Sequence, residues 1–131
     1  MDIQKDKLTI QEVSHATGLS SHTLRYYERI GLIHPINRKE NTRRCYTADD
    51  VGWIDFLMKL RATGMTIKDM QRYAALQRRG DETLPERLEM LKLLRGKVES
   101  HIEEMNEHLK LIHYKIDYYQ KIVEEQMLEK S

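Results

Sequence analysis

The sequence predicts a mostly α-helical chain: a helix-turn-helix head with a short β-hairpin wing, followed by one long coiled-coil helix. Three observations predict it. Threonines placed three residues before a carboxylate, and glycines closing apolar-periodic segments, divide residues 1–80 into short helices. The second of these helices gathers cations and an aromatic on one face. From Leu84 onward, apolar residues recur in steps of three and four.

The punctuation is regular. Thr9 and Glu12, Thr47 and Asp50, Thr66 and Asp69, and Thr83 and Glu86 each have the spacing in which a hydroxyl and a carboxylate satisfy the orphan amides of a helix start. Pro85 falls in a first turn, where its missing N–H does no harm. Gly18, Gly31, Gly64 and Gly80 stand where a left-handed C-cap ends a helix. Helices are therefore expected over about 10–17, 21–30, 48–63, 67–79 and 84–127. The stretch from Ile36 to Tyr46, INRKENTRRCY, is too polar and too short for a helix, and its end suits a strand returning from a loop. A two-stranded hairpin is expected there.

With 131 residues the chain has room for one domain, or a small domain plus an appendage. The expected division is a head over 1–80 and an appendage over 81–131. No apolar run approaches the roughly 18 residues of a membrane span, and the N-terminus lacks a signal-peptide core. A cytoplasmic protein without a membrane partner is expected. The lone cysteine, Cys45, cannot form an internal disulfide, and one thiol falls short of a structural zinc site. His101, His108 and His113 lack metal-like spacing on one helix face, so neither metal nor cofactor is expected. No Ser-His-Asp, Cys-His or metal-ligand arrangement supports catalysis, and the adjacent Ser14 and His15 point apart, so an enzyme is not expected.

Charge is unevenly placed. Residues 1–80 carry 14 Lys or Arg against 9 Asp or Glu, net +5, whereas residues 81–131 carry 8 against 12, net −4. A basic head suits a polyanion. Helices over 10–17 and 21–30, joined by a turn at Gly18, form a helix-turn-helix pattern that a generic helical hairpin shares. The second helix separates these readings. At 100° per residue, His22, Arg25, Tyr26 and Arg29 fall on one face, with Leu24 and Tyr27 opposite. Tyr26 should face outward and Tyr27 inward. Such an outer face is a poor core and a good reader of phosphates or base edges, its alternative being a solvated charged face. Arg38, Lys39, Arg43 and Arg44 in the adjacent wing would grip the sugar-phosphate backbone, which makes double-stranded DNA the expected partner.

These residues carry a family resemblance. LTIQEVSHATGLSSHTLRYYERIGLIHP, RRCYTADDVGWIDFLMKLRATGMTIKDM and the long terminal helix together resemble MerR-family transcription regulators over nearly the whole chain. The resemblance implies a winged helix-turn-helix with a second wing formed by the TGMT turn and the helix after it. It implies DNA contacts at Arg25 and Tyr26, with Ser21, His22 and Thr23 at the groove-facing start of the helix, and phosphate contacts at Arg44 and Tyr46, with Arg38 as a further basic contact. At the hairpin tip, Thr42 and Arg43 replace a glycine and an aromatic usual in the family, so the tip is expected to bend differently, with Arg43 adding a contact. Members of the family act at promoters, distorting an over-long spacer so that RNA polymerase engages both elements; the polymerase is thus an indirect partner. The chain stops at Ser131, so the resemblance is to members without a separate effector domain.

The long helix has its own logic. Leu88, Leu91, Leu94, Val98, Ile102, Met105, Leu109, Ile112 and Ile116 continue a stripe from Leu84 that extends through Tyr119 to Val123. About 44 residues at ~1.5 Å rise span roughly 65 Å, more than a head of this size can cover. The stripe calls for a second chain, and a homodimer binding a palindromic promoter operator is expected, with antiparallel strands implied by the resemblance. Near Arg95 and Gly96 the register breaks, which predicts local unwinding or a change of contact partner. Cys45, flanked by Arg44 and Tyr46, is the candidate redox residue, its alternative being an ordinary strand side chain. Tyr114, Tyr118 and Tyr119 suit packing on a partner's head or the lining of a small-molecule pocket. The contrasting function is an architectural or adaptor protein that binds DNA without regulating a promoter.

Overall fold

A computed structural model describes residues 7–36 and 45–130. The basic stretch with Arg38, Lys39, Arg43 and Arg44, and with it the expected hairpin tip, lies outside the described residues. Five α-helices occur among the described residues: α1 (Ile10–Thr17), α2 (Ser21–Arg29), α3 (Ala48–Ala62), α4 (Ile67–Arg78) and α5 (Leu84–Lys130). A 3-10 turn at Asp81–Thr83 precedes the last. The chain divides into two compact units, residues 1–91 and 92–131.

The helix starts follow their caps. Thr9 Oγ1 accepts from the Glu12 amide at 3.1 Å, while Glu12 Oε1 accepts from the Thr9 amide at 3.0 Å. Thr47 and Asp50 repeat the exchange at 3.1 and 2.9 Å, and the Asp69 amide donates to Thr66 Oγ1 at 3.1 Å. The start of α2 is capped by Ser20, whose Oγ accepts from the Thr23 amide at 3.1 Å. Thr83 departs from its expected role. Its hydroxyl lies 2.6 Å from the Leu76 carbonyl oxygen and 2.9 Å from that of Gly80, because the 3-10 turn runs directly into α5 and aims the side chain back at α4.

In the first unit α1 packs against α2 and α3, and α3 against α4. Val13, Leu24, Leu32, Ile54, Leu57 and Met70 are wholly buried between them. Trp53, Phe56 and Tyr73 form an aromatic cluster across α3 and α4, with the indole stacked on Tyr73 at 6.1 Å between centroids and 16° between planes. Gly31 turns the chain from α2 back into this core at φ +85°, and the Leu32 amide closes the turn on the Tyr27 carbonyl at 2.9 Å. Leu32 and Ile33 can then be buried. Among the described residues the β structure is a single antiparallel bridge, Leu8 to Tyr46, with both amides donating at 2.8 Å. The expected strand at the end of the basic stretch is therefore reduced, in its described part, to one bridging residue.

Arg87, near the start of α5, is buried and spends its donors locally. Nε donates to Thr83 Oγ1 at 3.0 Å, one terminal nitrogen to Gln77 Oε1 at 2.6 Å, and the other to the Gly80 carbonyl at 2.9 Å. This guanidinium joins the end of α4, the 3-10 turn and the first turns of α5. Arg87→Ala should lower stability by about 2 kcal/mol, because three charge-assisted bonds vanish and the buried Thr83 hydroxyl loses the guanidinium. Urea unfolding with an unchanged m-value checks it.

In the second unit Ile102, Met105, Leu109, Ile112, Ile116, Tyr119 and Val123 stand 47% to 55% exposed along one line of α5. The helix is continuous through Arg95 and Gly96, so the expected unwinding does not occur. A shift in side-chain register leaves the backbone ladder intact, and one helical glycine costs only about 1 kcal/mol.

Candidate nucleic-acid interface

The candidate reading helix, α2, has nine residues. His22, Arg25, Tyr26 and Arg29 are all exposed along one side of α2, Leu24 is wholly buried on the other and Tyr27 is half-buried. The helical wheel thus places the two adjacent tyrosines in different environments, Tyr26 at 39% exposure. Ser21 and Thr23 are half-buried at the helix start, where the Ser20 hydroxyl lies 3.0 Å from Thr23 Oγ1. The Arg29 guanidinium stands 5.3 Å from the Tyr26 ring centroid, and the Tyr26 and Tyr27 rings meet at 6.0 Å with a 44° tilt. Tyr26 is consequently held between a cation and a second ring.

The far end of α2 is fastened by side chains remote in sequence. Three successive carbonyls accept from three donors: Ile30 from Gln71 Nε2 at 2.8 Å, Gly31 from the Arg78 guanidinium, and Leu32 from Trp53 Nε1 at 2.8 Å. Below them His34 Nε2 meets Asp50 Oδ1 at 2.6 Å, while Asp50 Oδ2 caps the Thr47 amide. Glu28 Oε2 accepts from the Ile36 amide at 3.4 Å. None of Gln71, Arg78, Trp53 or His34 stands out in sequence, since their partners lie 16 to 47 residues away.

The expected wing contacts fare differently. Arg38, Arg43 and Arg44 lie outside the described residues. Tyr46, expected to touch phosphate, is wholly buried: its backbone pairs with Leu8 and its ring fills the head's core. Cys45 is half-buried and its thiol is free. Among the described residues no three His, Cys, Asp or Glu converge as a metal site, and no helix is long and apolar enough to cross a membrane.

A capped helix-turn-helix with an exposed basic and aromatic second helix defines a DNA-binding regulator of the helix-turn-helix class. Residues 8–77 match the family described as MerR HTH family regulatory protein, and the chain belongs to the MerR family. It is 35% identical over 113 residues to an uncharacterized HTH-type transcriptional regulator of Haemophilus influenzae, covering 86% of this chain and 84% of that protein. Among solved structures it is similar to HiNmlR, a MerR family regulator lacking the sensor domain and bound to promoter DNA, at a TM-score of 0.80 and 35% identity over 88% of this chain and 91% of that one. A putative MerR family regulator from Listeria monocytogenes is similar at a TM-score of 0.82 and 40% identity, over 95% and 99% of the respective chains.

Proposed function

We propose that this chain is a cytoplasmic, homodimeric transcription regulator that reads a palindromic promoter operator with α2 and distorts the promoter spacer for RNA polymerase. The observation that carries the reading is the exposed face of His22, Arg25, Tyr26 and Arg29 on a helix anchored from behind by Leu24. Family membership and the likeness to a promoter-bound relative support it. In this reading residues 1–80 form the DNA-binding domain and 81–131 the dimerisation helix. Ser21, His22, Thr23, Arg25, Tyr26 and Arg29 meet the major groove, and Arg38, Arg43 and Arg44 of the wing hold phosphates. The half-exposed line from Ile102 to Val123 is the seam between two chains, and Leu88, Leu91, Leu94 and Val98 extend it toward the head. A rigid dimer recovers the energy of bending the spacer through added phosphate contacts.

Selection from a random duplex library tests this directly. It should return an inverted repeat bound far more tightly than a scrambled duplex of equal composition. Arg44→Ala should lower affinity for both duplexes alike and reduce the slope of log affinity against log salt by about 1, as measured by anisotropy. Equal affinity for every sequence would favour the architectural reading. Transcription from a promoter with an intact or shortened spacer separates regulation from passive binding.

A further inference from the structure

We propose that Trp53, Gln71 and Arg78 are positioning residues for DNA reading, setting the tilt and rotation of α2 through the backbone carbonyls of the turn that closes it, without themselves serving as base readers. The proposal rests on the function proposed above. A helix of nine residues whose one buried side chain is Leu24 has little apolar packing to fix its orientation. Half-buried Tyr27 and the buried Leu32 and Ile33 beyond it add apolar packing, and the rest of the hold is polar. A helix leaves its final carbonyls without intrahelical partners, and water usually takes those in an exposed turn. Here local amides close the last turn of α2 itself, with Ile30 donating to the Tyr26 carbonyl at 3.0 Å, Leu32 to that of Tyr27 at 2.9 Å and Gly31 to that of Glu28 at 3.2 Å. The carbonyls of the cap residue and of the two residues after it, Ile30 to Leu32, go to donors from α3 and α4.

The donors form a coherent set. Gln71 and Arg78, seven residues apart, share one face of α4, so that face is aimed along the end of α2. Arg78, in the last turn of α4, brings its positive charge to the negative end of α2 as well as to a hydrogen bond. The indole of Trp53 is itself fixed by stacking on Tyr73 of α4. Bonds at three successive residues oppose both sliding and rotation of α2, and a displacement of α4 is passed to the reading face. A small rotation would carry Arg25 and Tyr26 off their base edges while leaving phosphate contacts elsewhere nearly unchanged.

Donor deletions that keep side-chain bulk test this in the full chain. Trp53→Phe retains an aromatic ring and loses the N–H, Gln71→Met loses the amide, and Arg78→Met loses the guanidinium, while Arg78→Lys keeps a donor and the charge. Dissociation constants for the selected inverted repeat and its scrambled counterpart are compared at a temperature where circular dichroism shows each variant fully folded. Trp53→Phe with Gln71→Met should weaken the selected duplex about tenfold and the scrambled one less than twofold, leaving the salt slope unchanged. Arg78→Lys should retain the discrimination that Arg78→Met loses. Trp53→Phe alone carries the test should the double variant not fold. Unchanged discrimination, or an equal loss on both duplexes with a lower salt slope, would overturn the positioning role. Failure of the wild type to discriminate would overturn the proposed function instead.

Discussion

An Arg25→Ala variant should bind the selected inverted repeat more weakly by about 1–3 kcal/mol per site, a rise of roughly five- to 150-fold in Kd, with relaxed preference at the base pair it reads. Arg25 lies in the middle of the exposed face of α2, one turn from His22 and from Arg29. A guanidinium there can meet a guanine edge with two parallel bonds, a geometry lysine cannot reproduce. Arg25→Lys should therefore recover the salt slope but not the sequence preference. Arg29 differs because its guanidinium already covers the Tyr26 ring, so its loss should act partly through the orientation of that tyrosine. Titrations against duplexes changed at single base pairs, at one fixed salt concentration, separate these effects.

The second large effect is expected in α5. Leu109 and Ile112 are 47% and 55% exposed near the middle of the apolar line. Replacing both by glutamate would put four carboxylates into the proposed apolar seam of two chains. The double variant should be monomeric at micromolar concentration, with a light-scattering mass near the single-chain 15.7 kDa. DNA binding should suffer more than from any single reading residue. Two linked half-sites share an effective concentration in the millimolar range, so unlinking them costs on the order of 10²- to 10⁴-fold in operator affinity. The head should stay folded, because its core lies within residues 1–91.

What was legible in the sequence was local. The capping pairs at Thr9 and Thr47, the glycine turn at Gly31 and the division of Tyr26 from Tyr27 all depend on residues within four positions of one another, where spacing fixes geometry. The helix boundaries fell within one residue for α1 to α4 on the same ground. The failures were of another kind. Thr83 has the spacing of a cap yet turns to the Leu76 carbonyl, a choice set by the packing of the 3-10 turn on α4. Tyr46 was expected at the surface on the strength of the resemblance and is buried, its backbone bridged to Leu8, 38 positions earlier. The grip of Gln71, Arg78 and Trp53 on the end of α2 joins residues 41, 47 and 21 positions apart, and no local pattern encodes such a meeting. The exposed face of α2 was thus visible in sequence, and its support was not.

The central claim is that two copies of this chain read one inverted repeat through paired α2 helices. Analytical ultracentrifugation of the protein with the selected duplex, in parallel with a duplex carrying only one half-site, tests it most directly. The full repeat should sediment as one duplex with two chains and bind at least a hundredfold more tightly than the half-site duplex. One chain per duplex, or equal affinity for the full repeat and the half-site, would contradict it.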